Sequence, residues 1–304
     1  MRCPLIVAAA ISLSGCTTVH IKESNFLRAD KPGAAAAAPA DLRAALPGLL
    51  VQDVTVAAAD GVTLGGVIVR QPAIATTTTA TTTTVLYFGG NAFHLDQAGR
   101  QVLPLIASCG VNVAVFDYRG YGRSGGAPTV AKLAADAIRV FDEVGARVPG
   151  RLFVHGQSLG SFMAAHVARQ RPQAAGLVLE ATATTVADWA NAKLPWYAAP
   201  FIRLDIGESL RAVDNVAAVA AWRGPGLVLA GGRDRITPPA LGRRVYAAMA
   251  PAQRQWILAE HAGHNDIIGQ GVLMPAYCAF LHQGATSDGH VKTAADSSES
   301  AAVH

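Results

Sequence analysis

The chain has 304 residues, of which 51% are hydrophobic and 15% are charged, and its formal net charge is +4. This balance predicts one large globular domain with appendages and an ample core. The positive charges form no basic block, the cysteines lack zinc-type spacing and no G-x-x-x-x-G-K-[ST] loop occurs, so the sequence does not favour a nucleic-acid, zinc or nucleotide partner.

The N-terminus has the pattern of an export signal. Arg2 precedes an apolar stretch from Leu5 to Leu13, which is too short to span a bilayer as a helix. The next residues complete Leu13-Ser14-Gly15-Cys16, which resembles the lipobox of bacterial lipoproteins. The resemblance implies a signal peptide over 1–15, lipidation of Cys16 and a membrane anchor in the bacterial cell envelope, at the outer membrane or the periplasmic face. An ordinary signal peptide or a fortuitous apolar start is the alternative.

Two segments lack the pattern of a folded core. Residues 16–48 include Lys31-Pro32-Gly33 and a run of alanines with little amphipathic pattern, which predicts a tether between membrane and domain. Residues 284–304 are rich in Ser, Ala and Asp, which predicts a disordered tail. The globular domain is therefore expected over 49–283.

Strands and helices alternate through this domain. The turn signal Asp60-Gly61 separates two strands and predicts a hairpin, and the threonine run at 76–84 predicts a low-complexity loop insertion. Short apolar runs predict strands at 51–57, 62–70, 85–88, 111–116, 151–155, 176–180, 226–230 and 255–258. Helices are predicted at 95–108, 129–145, 161–168, 239–250 and 267–281. Such alternation predicts an α/β fold with a mostly parallel eight-stranded sheet and helices on both faces.

Cys109 and Cys278 are the two cysteines of the globular domain. Two buried free thiols are the favoured interpretation, because an unpaired cysteine packs as a small hydrophobic side chain. A disulfide is the alternative if helices near the two positions pack together.

The stretch at 181–224 differs from the rest of the domain. It separates two predicted strands and is rich in aromatic side chains, which predicts a small helical cap over the site with one or two aromatics facing a pocket. Alternatively, these side chains only pack a crossover connection. The aromatics concerned are Trp189, Trp196, Tyr197, Phe201 and Trp222.

The strongest functional signal is Gly156-Gln157-Ser158-Leu159-Gly160, a G-x-S-x-G sequence between a predicted strand and a predicted helix. This context is typical of a nucleophile elbow, in which a strained turn exposes the serine hydroxyl. Side chains at the flanking glycines would collide with the neighbouring strand and helix. Ser158 is therefore the predicted nucleophile.

A serine nucleophile needs a base, and the base needs an orienting acid. Asp234 follows a strand beyond the cap and is the predicted acid, with Asp205 and Asp214 as weaker alternatives. His264 lies on the loop after the last strand and is the predicted base, favoured over His261. The spacing of these histidines does not match a dedicated metal-binding helix, so no metal is expected.

An oxyanion that develops during acyl transfer needs backbone N–H donors. Leu159, directly after the nucleophile, is the first predicted donor. The second is expected from the loop Phe88-Gly89-Gly90-Asn91-Ala92, with Asn91 favoured and Ala92 as the alternative.

Together these motifs resemble the α/β-hydrolase superfamily, in particular its bacterial serine-aminopeptidase-like and lysophospholipase-like branch, over roughly residues 50 to 283. The resemblance also includes Asp117-Tyr118-Arg119-Gly120-Tyr121-Gly122-Arg123-Ser124, and it implies the α/β-hydrolase fold. One departure occurs, since this chain has Gly89 where the family often has a histidine before Gly-Asn-Ala.

The sequence therefore predicts a serine hydrolase that cleaves carboxylic esters or thioesters of small molecules through an acyl-enzyme intermediate, without a cofactor or metal. A serine-aminopeptidase-like peptidase is the alternative, and the ester is favoured because no propeller or other gating domain that would select peptides is apparent. A non-catalytic, membrane-anchored binding protein on the same fold is a further alternative.

Overall fold

The computed structural model describes residues 17–30, 42–72 and 82–283. The predicted signal peptide, Cys16, the alanine-rich stretch, most of the threonine run and the predicted tail at 284–304 lie outside the described residues.

A single large sheet organises the domain, and its strands coincide closely with the predicted ones. Strands and helices are numbered in chain order, and two strands, β1 (Thr17–Ile21) and β8 (Ile202–Ile206), form a separate pair. The large sheet contains β2 (Leu50–Ala57), β3 (Thr63–Arg70), β4 (Thr83–Phe88), β5 (Asn112–Phe116), β6 (Arg151–Gln157), β7 (Gly176–Glu180), β9 (Gly226–Gly231) and β10 (Arg254–Ala259).

Within the described residues, the order across this sheet is β10-β9-β7-β6-β4-β5-β3-β2. Neighbouring strands are parallel except in the pairs β2–β3 and β3–β5. The predicted hairpin is β2–β3, and Gly61 in its turn has a φ of +80°, which glycine adopts without strain. The predicted α/β class with a mostly parallel eight-stranded sheet is confirmed.

Helices cover both faces of the sheet. One face carries α4 (Val130–Arg147), α5 (Leu159–Gln170), α8 (Asn215–Ala221) and α9 (Pro239–Ala248), and the other carries α3 (Leu95–Ala107) and α10 (Met274–His282). Each face of the sheet has its own hydrophobic core, and alternate side chains of a strand pack into one or the other. In β7, Leu177 and Leu179 pack into the core on the first face and Val178 into the core on the second. This double burial explains why the central strands are almost continuously apolar.

Helix α10 begins later than the predicted start at residue 267. Turns and bends occupy 267–273, and Pro275 then lies in the first turn of the helix, where its missing N–H costs no hydrogen bond. The extra loop length lies shortly after His264, and Ile268 and Gly269 within it line the cavity described below.

The N-terminal segment 17–30 packs against the domain, which corrects, for these residues, the prediction of a tether over 16–48. Strand β1 pairs in parallel with β8, from Thr17 opposite Ile202 to Ile21 opposite Ile206. Helix α1 (Glu23–Phe26) follows, and the Phe26 ring meets the Trp189 ring edge-on at 5.5 Å. Burying Phe26 and its neighbour Leu27 stabilises this arrangement relative to a solvated linker.

The end of the predicted tether is also packed. Helix α2 (Leu42–Ala45) lies against α3, and both Leu42 and Leu46 are buried in the core under that helix. Residues 42–48 therefore belong to the globular domain.

The stretch at 181–224 contains the predicted helices but also an unforeseen strand. Helices α6 (Val186–Asn191) and α7 (Glu208–Arg211) flank β8, and a 3-10 turn (Ala199–Phe201) precedes that strand. Helix α8 packs on α5 and α9 in the main helical layer instead of over the site. Among the described residues, no helix combines the length and apolar character needed to cross a membrane.

Cys109 and Cys278 form a disulfide with Cα atoms 5.0 Å apart, so the favoured interpretation as two free thiols is wrong. Cys109 closely follows α3 and Cys278 lies in α10, and these helices share one face of the sheet. The bridge joins positions 169 residues apart, and closing so long a loop restricts the unfolded chain. Disulfides of this kind persist in oxidising compartments.

Candidate active site

The turn between β6 and α5 holds Ser158 in a strained conformation. Its φ is +54° and its ψ is −114°, outside the regions that non-glycine residues normally adopt. The backbones around it are too close for flanking side chains: a Cβ on Gly156 would lie 2.1 Å from the Gly160 oxygen, and one on Gly160 would lie 2.0 Å from the Phe88 oxygen. The two glycines therefore allow the strand and helix to approach closely.

A buried polar network supports the start of α5 from behind. The Ser161 hydroxyl donates to the Ser158 carbonyl at 2.7 Å, and the Thr182 hydroxyl donates to the Ser161 oxygen at 3.0 Å. The Asn215 amide then donates to Thr182 Oγ1 at 3.0 Å and to the Ala183 carbonyl at 3.0 Å. The sequence gives no local signal for these residues, because their partners come from three separate parts of the chain.

The structure brings together the three residues predicted for catalysis. His264 Nε2 lies 3.0 Å from Ser158 Oγ, and His264 Nδ1 lies 2.8 Å from Asp234 Oδ2. An ionised carboxylate only accepts hydrogen bonds, so this contact assigns the proton to Nδ1 and leaves Nε2 free to accept from the serine.

Asp234 is buried and strongly hydrogen-bonded. Its Oδ1 accepts from the Ile236 amide at 2.7 Å and from the Thr237 amide at 2.8 Å, and its Oδ2 accepts from the Thr237 hydroxyl at 2.7 Å. Burial alone raises the pKa of the Asp234 carboxyl, but the hydrogen bonds from His264 and Thr237 outweigh it and hold that pKa below its ordinary value. The carboxylate therefore stays ionised beside His264 at neutral pH.

Thr237 is a further site residue that the sequence analysis did not single out. Its hydroxyl oxygen also lies 3.1 Å from His264 Nδ1, so it contacts both the acid and the base. The signal was present as an Asp followed three residues later by Thr, a spacing at which an Asp side chain caps a local turn.

The alternative residues lie elsewhere. Asp214 caps α8 by accepting from the Ala217 amide, and Asp205 pairs with His20 and Arg211 on the surface. His261 is an exposed residue that contacts Arg233 at 3.2 Å.

His155, beside the elbow, is fully buried under the site. Its Nδ1 lies 3.0 Å from the Tyr277 hydroxyl, and its Nε2 lies 3.1 Å from Glu180 Oε2. These contacts give His155 a packing role.

The two predicted oxyanion donors border the same space. Leu159 is the first residue of α5, where the backbone N–H has no acceptor within the helix. Asn91 lies in a turn closed by the Phe93 amide on the Gly90 carbonyl at 3.0 Å. A Cβ on Gly90 would lie 3.6 Å from the Ser158 Cβ, so this turn lies directly beside the serine, and Asn91, Ala92 and Leu159 all line the cavity there.

The Asn91 side chain ties this turn to the N-terminal segment. Its Oδ1 accepts from the Arg28 amide at 3.0 Å and from the Tyr121 hydroxyl at 3.1 Å, and its Nδ2 donates to the Phe26 carbonyl. The turn carrying the candidate donors is thus held by residues that the sequence assigned to a tether.

The Asp117–Ser124 motif supports the turn from the other side. The Tyr118 hydroxyl donates to the Gly89 carbonyl at 2.7 Å. Asp117 accepts from the amides of Leu95 at 2.7 Å and Arg123 at 2.8 Å. Burial raises the pKa of Asp117 to about 6 despite those amides. The family resemblance did not assign a role to this motif. Its contacts show that it supports the turn beside Ser158.

Ser158 and His264 open onto a cavity of about 850 Å³. Aromatic and aliphatic side chains line much of it, with Arg28 and Lys193 as cationic groups. One cap aromatic, Trp189, faces this space, which confirms the prediction that one or two would do so, whereas Trp222 is buried in the core. The other apolar lining residues include Phe26, Tyr87, Phe93, Val102, Leu105, Phe162, Val186, Ile236 and Ile268.

The chain is similar in sequence to known proteins. Residues 80–212 match the family described as serine aminopeptidase, S33. An uncharacterized protein of Mycobacterium tuberculosis is 34% identical over 240 residues, which cover 77% of this chain and 80% of that protein. The lysophosphatidylserine lipase ABHD12 of Xenopus tropicalis is 29% identical over 185 residues, which cover 55% of this chain and 47% of that protein.

Solved structures share the fold. The Pyrococcus furiosus esterase Pf2001 superposes with a TM-score of 0.61 at 18% sequence identity, covering 78% of this chain and 94% of that one. At this identity the likeness extends to the fold alone.

The close approach at the elbow predicts that Gly160→Ala destabilises the protein. The added methyl would meet the Phe88 carbonyl, so β4 or α5 must shift, and the free energy of unfolding should fall by about 2 kcal/mol or more. Chemical denaturation measures this loss.

Gly145→Ala in α4 is the matched control, because its new Cβ meets only a Leu152 methyl at 3.7 Å. This variant should keep its stability or gain up to about 1 kcal/mol, since alanine favours a helix more than glycine does. Equal stability of Gly160→Ala and wild type would contradict the packing described at the elbow.

Proposed function

The chain belongs to the α/β-hydrolase superfamily, and we propose that it is a serine hydrolase that cleaves carboxylic esters or thioesters through an acyl-enzyme intermediate. The observation that carries the proposal is the continuous set of contacts from Ser158 through His264 to Asp234 at the wall of a largely apolar cavity. Geometry of this kind is how a serine hydroxyl becomes a nucleophile at neutral pH.

Each residue has a distinct role in the proposed reaction. Ser158 Oγ attacks the acyl carbon while His264 Nε2 takes its proton, and Asp234 holds the imidazole and stabilises the imidazolium. The amides of Leu159 and Asn91 donate to the oxyanion. His264 then returns the proton to the departing alcohol or thiol, and a water activated by the same histidine releases the acid and restores Ser158.

The charges around the cavity favour an ester over an amino-terminal peptide. An aminopeptidase must bind a substrate ammonium group, for which a free carboxylate is the natural partner. In the described chain, Glu180 and Asp266 are the carboxylates lining the cavity, and both are engaged. Glu180 contacts His155 and the Ile268 amide, and Asp266 accepts from the Gly263 amide.

The cavity also favours a substrate with an apolar acyl group. Burying such a chain against the aromatic and aliphatic lining would contribute most of the binding energy. The name of the relative ABHD12, a lysophosphatidylserine lipase, supports the same class of acyl ester for this chain.

The proposed setting is the bacterial cell envelope. Residues 1–15 act as a signal peptide, and Cys16 carries the lipid that holds the mature protein on the membrane. The support is the lipobox-like sequence Leu13-Ser14-Gly15-Cys16 directly after an apolar stretch.

A fluorophosphonate probe tests the nucleophile, because it reacts covalently with activated serines. The wild-type protein should be labelled stoichiometrically, and Ser158→Ala should lose the label completely. Ser108→Ala is the matched control, since Ser108 follows α3 and only donates to the Leu105 carbonyl, and it should be labelled like wild type. A folded wild type that takes no label, or label retained in Ser158→Ala, would contradict the proposal and favour a non-catalytic binding protein.

Metabolic labelling with a palmitate analogue in a bacterial host tests the anchor. Wild type should incorporate the fatty acid and Cys16→Ala should not, because the proposed lipids attach at residue 16. Cys3→Ala is the control, since Cys3 lies inside the proposed signal peptide and should leave lipidation unchanged. Labelling that persists in Cys16→Ala, or is absent from wild type, would contradict the lipoprotein assignment.

A further inference from the structure

The cap exposes three aromatic side chains close together in sequence. Trp196 is 86% exposed, Tyr197 is 64% exposed and Phe201 is 49% exposed. The Trp196 and Tyr197 rings contact each other edge-on at 5.9 Å, and tight turns hold the segment, with Ala198 and Phe201 amides donating to the Pro195 and Ala198 carbonyls. Trp196, Tyr197 and Phe201 are here called the cap aromatic patch.

This degree of exposure indicates an interaction surface. Single exposed apolar side chains are ordinary, but neighbouring aromatics on a constrained turn place apolar area in water without a folding benefit. Tryptophan and tyrosine together are the side chains most enriched at the boundary between lipid headgroups and acyl chains.

The charges beside the patch favour an anionic partner. Residues 188–205 include the basic side chains Lys193 and Arg203. The two acidic side chains of this stretch are paired, Asp188 with Arg244 and Asp205 with His20 and Arg211. Lys193 Nζ lies 5.1 Å from the centre of the Trp189 ring. In the sequence, Lys193 lies between the cavity-lining Trp189 and the first patch residue, Trp196. Basic groups next to interfacial aromatics suit a bilayer that contains anionic lipids.

The start of β1 points to the partner of the patch. Thr17, the first residue of β1, pairs with Ile202, the residue directly after Phe201, so this strand begins next to the patch. This step rests on the proposed lipidation of Cys16. If Cys16 carries the lipid, the pairing of β1 with β8 brings the acyl anchor and the three aromatics to the same membrane surface. A bilayer is the partner that fits all of these features.

We propose that the cap aromatic patch is a membrane-docking surface that sits in the headgroup region and brings bilayer-embedded acyl esters to Ser158. Trp189 and Lys193 line the cavity and belong to the segment that leads into the patch, so the cavity and the patch share this part of the cap. Phe26 and Trp189 form an apolar wall there, with one ring from the N-terminal segment and one from the cap. An acyl chain that moves along this wall towards the nucleophile would contact apolar groups.

Quenching of tryptophan fluorescence by lipids brominated in their acyl chains tests the docking. The lipidated full chain is reconstituted in vesicles of phosphatidylethanolamine and anionic phosphatidylglycerol. Wild type should be quenched, and Trp196→Phe should lose most of the quenching. Trp256→Phe is the matched control, because Trp256 lies in β10 under the Arg243 guanidinium at 4.1 Å, and it should be quenched like wild type.

Equal quenching of Trp196→Phe and wild type would overturn the proposal, since the bilayer would then not reach the patch. Absence of quenching in wild type would also overturn the proposal. If, in that case, Trp196→Phe changes the self-association measured by sedimentation, the patch binds a second copy of this chain. If it does not, the patch binds another protein.

Activity on two substrates separates this proposal from the proposed function. In the double variant Trp196→Ser/Tyr197→Ser, hydrolysis of a vesicle-embedded long-chain ester should fall by about tenfold, because the docking contacts are lost. Hydrolysis of a water-soluble short-chain p-nitrophenyl ester should stay at the wild-type rate, since neither side chain lines the cavity.

Equal loss on both esters, or no loss on the embedded one, would overturn docking while leaving a hydrolase. Failure of wild type to hydrolyse either ester would instead overturn the proposed function, and the quenching experiment would still decide the docking.

Discussion

The close approach of three backbone segments around Ser158 is the constraint on which the rest of the site depends. Phe88 at the end of β4, Gly156 in β6 and Gly160 in α5 meet at distances that leave no room for a Cβ atom. This packing imposes the positive φ of Ser158 and directs its hydroxyl beyond the carboxyl edge of the sheet. Loops after β9 and β10 reach the same edge because these strands are parallel, which is why Asp234 and His264 can meet the serine.

A second constraint couples the N-terminal segment to the site. The Asn91 side chain holds the turn beside Ser158 onto Phe26 and Arg28, while β1 of the same segment pairs with β8 of the cap. Asp30 extends this coupling by accepting from the Gly122 amide and pairing with His94. The segment next to the proposed lipid anchor is therefore structurally continuous with the cap, the candidate oxyanion turn and the cavity wall.

The parts of the molecule that sequence predicted well have local signals. The sheet, its helices and the elbow follow from apolar periodicity and glycine placement within short windows, and the positions of Asp234 and His264 on loops after predicted strands favoured them over Asp214 and His261. The failures in the N-terminal segment and at the two cysteines involve distant partners. Strand β1 pairs with residues about 185 positions away, as the His20–Asp205 contact illustrates, and its neighbouring alanine run suggested a tether. The Cys109–Cys278 disulfide likewise depended on how α3 and α10 pack, which spacing cannot reveal. The Ser161–Thr182–Asn215 network was missed because common polar residues acquire such roles only through tertiary contacts. Thr237 had a local signal in its spacing from Asp234, but its contact with His264 depends on the fold.

The central claim is that Ser158 becomes covalently acylated during turnover. The direct measurement is rapid acid quenching of the protein in its first turnover with a p-nitrophenyl ester, followed by mass spectrometry of its peptides. The expected result is a mass increase equal to the acyl group on the peptide that contains Ser158, appearing as p-nitrophenolate is released. Release of p-nitrophenolate without an adduct, or an adduct on a different residue, would contradict the claim.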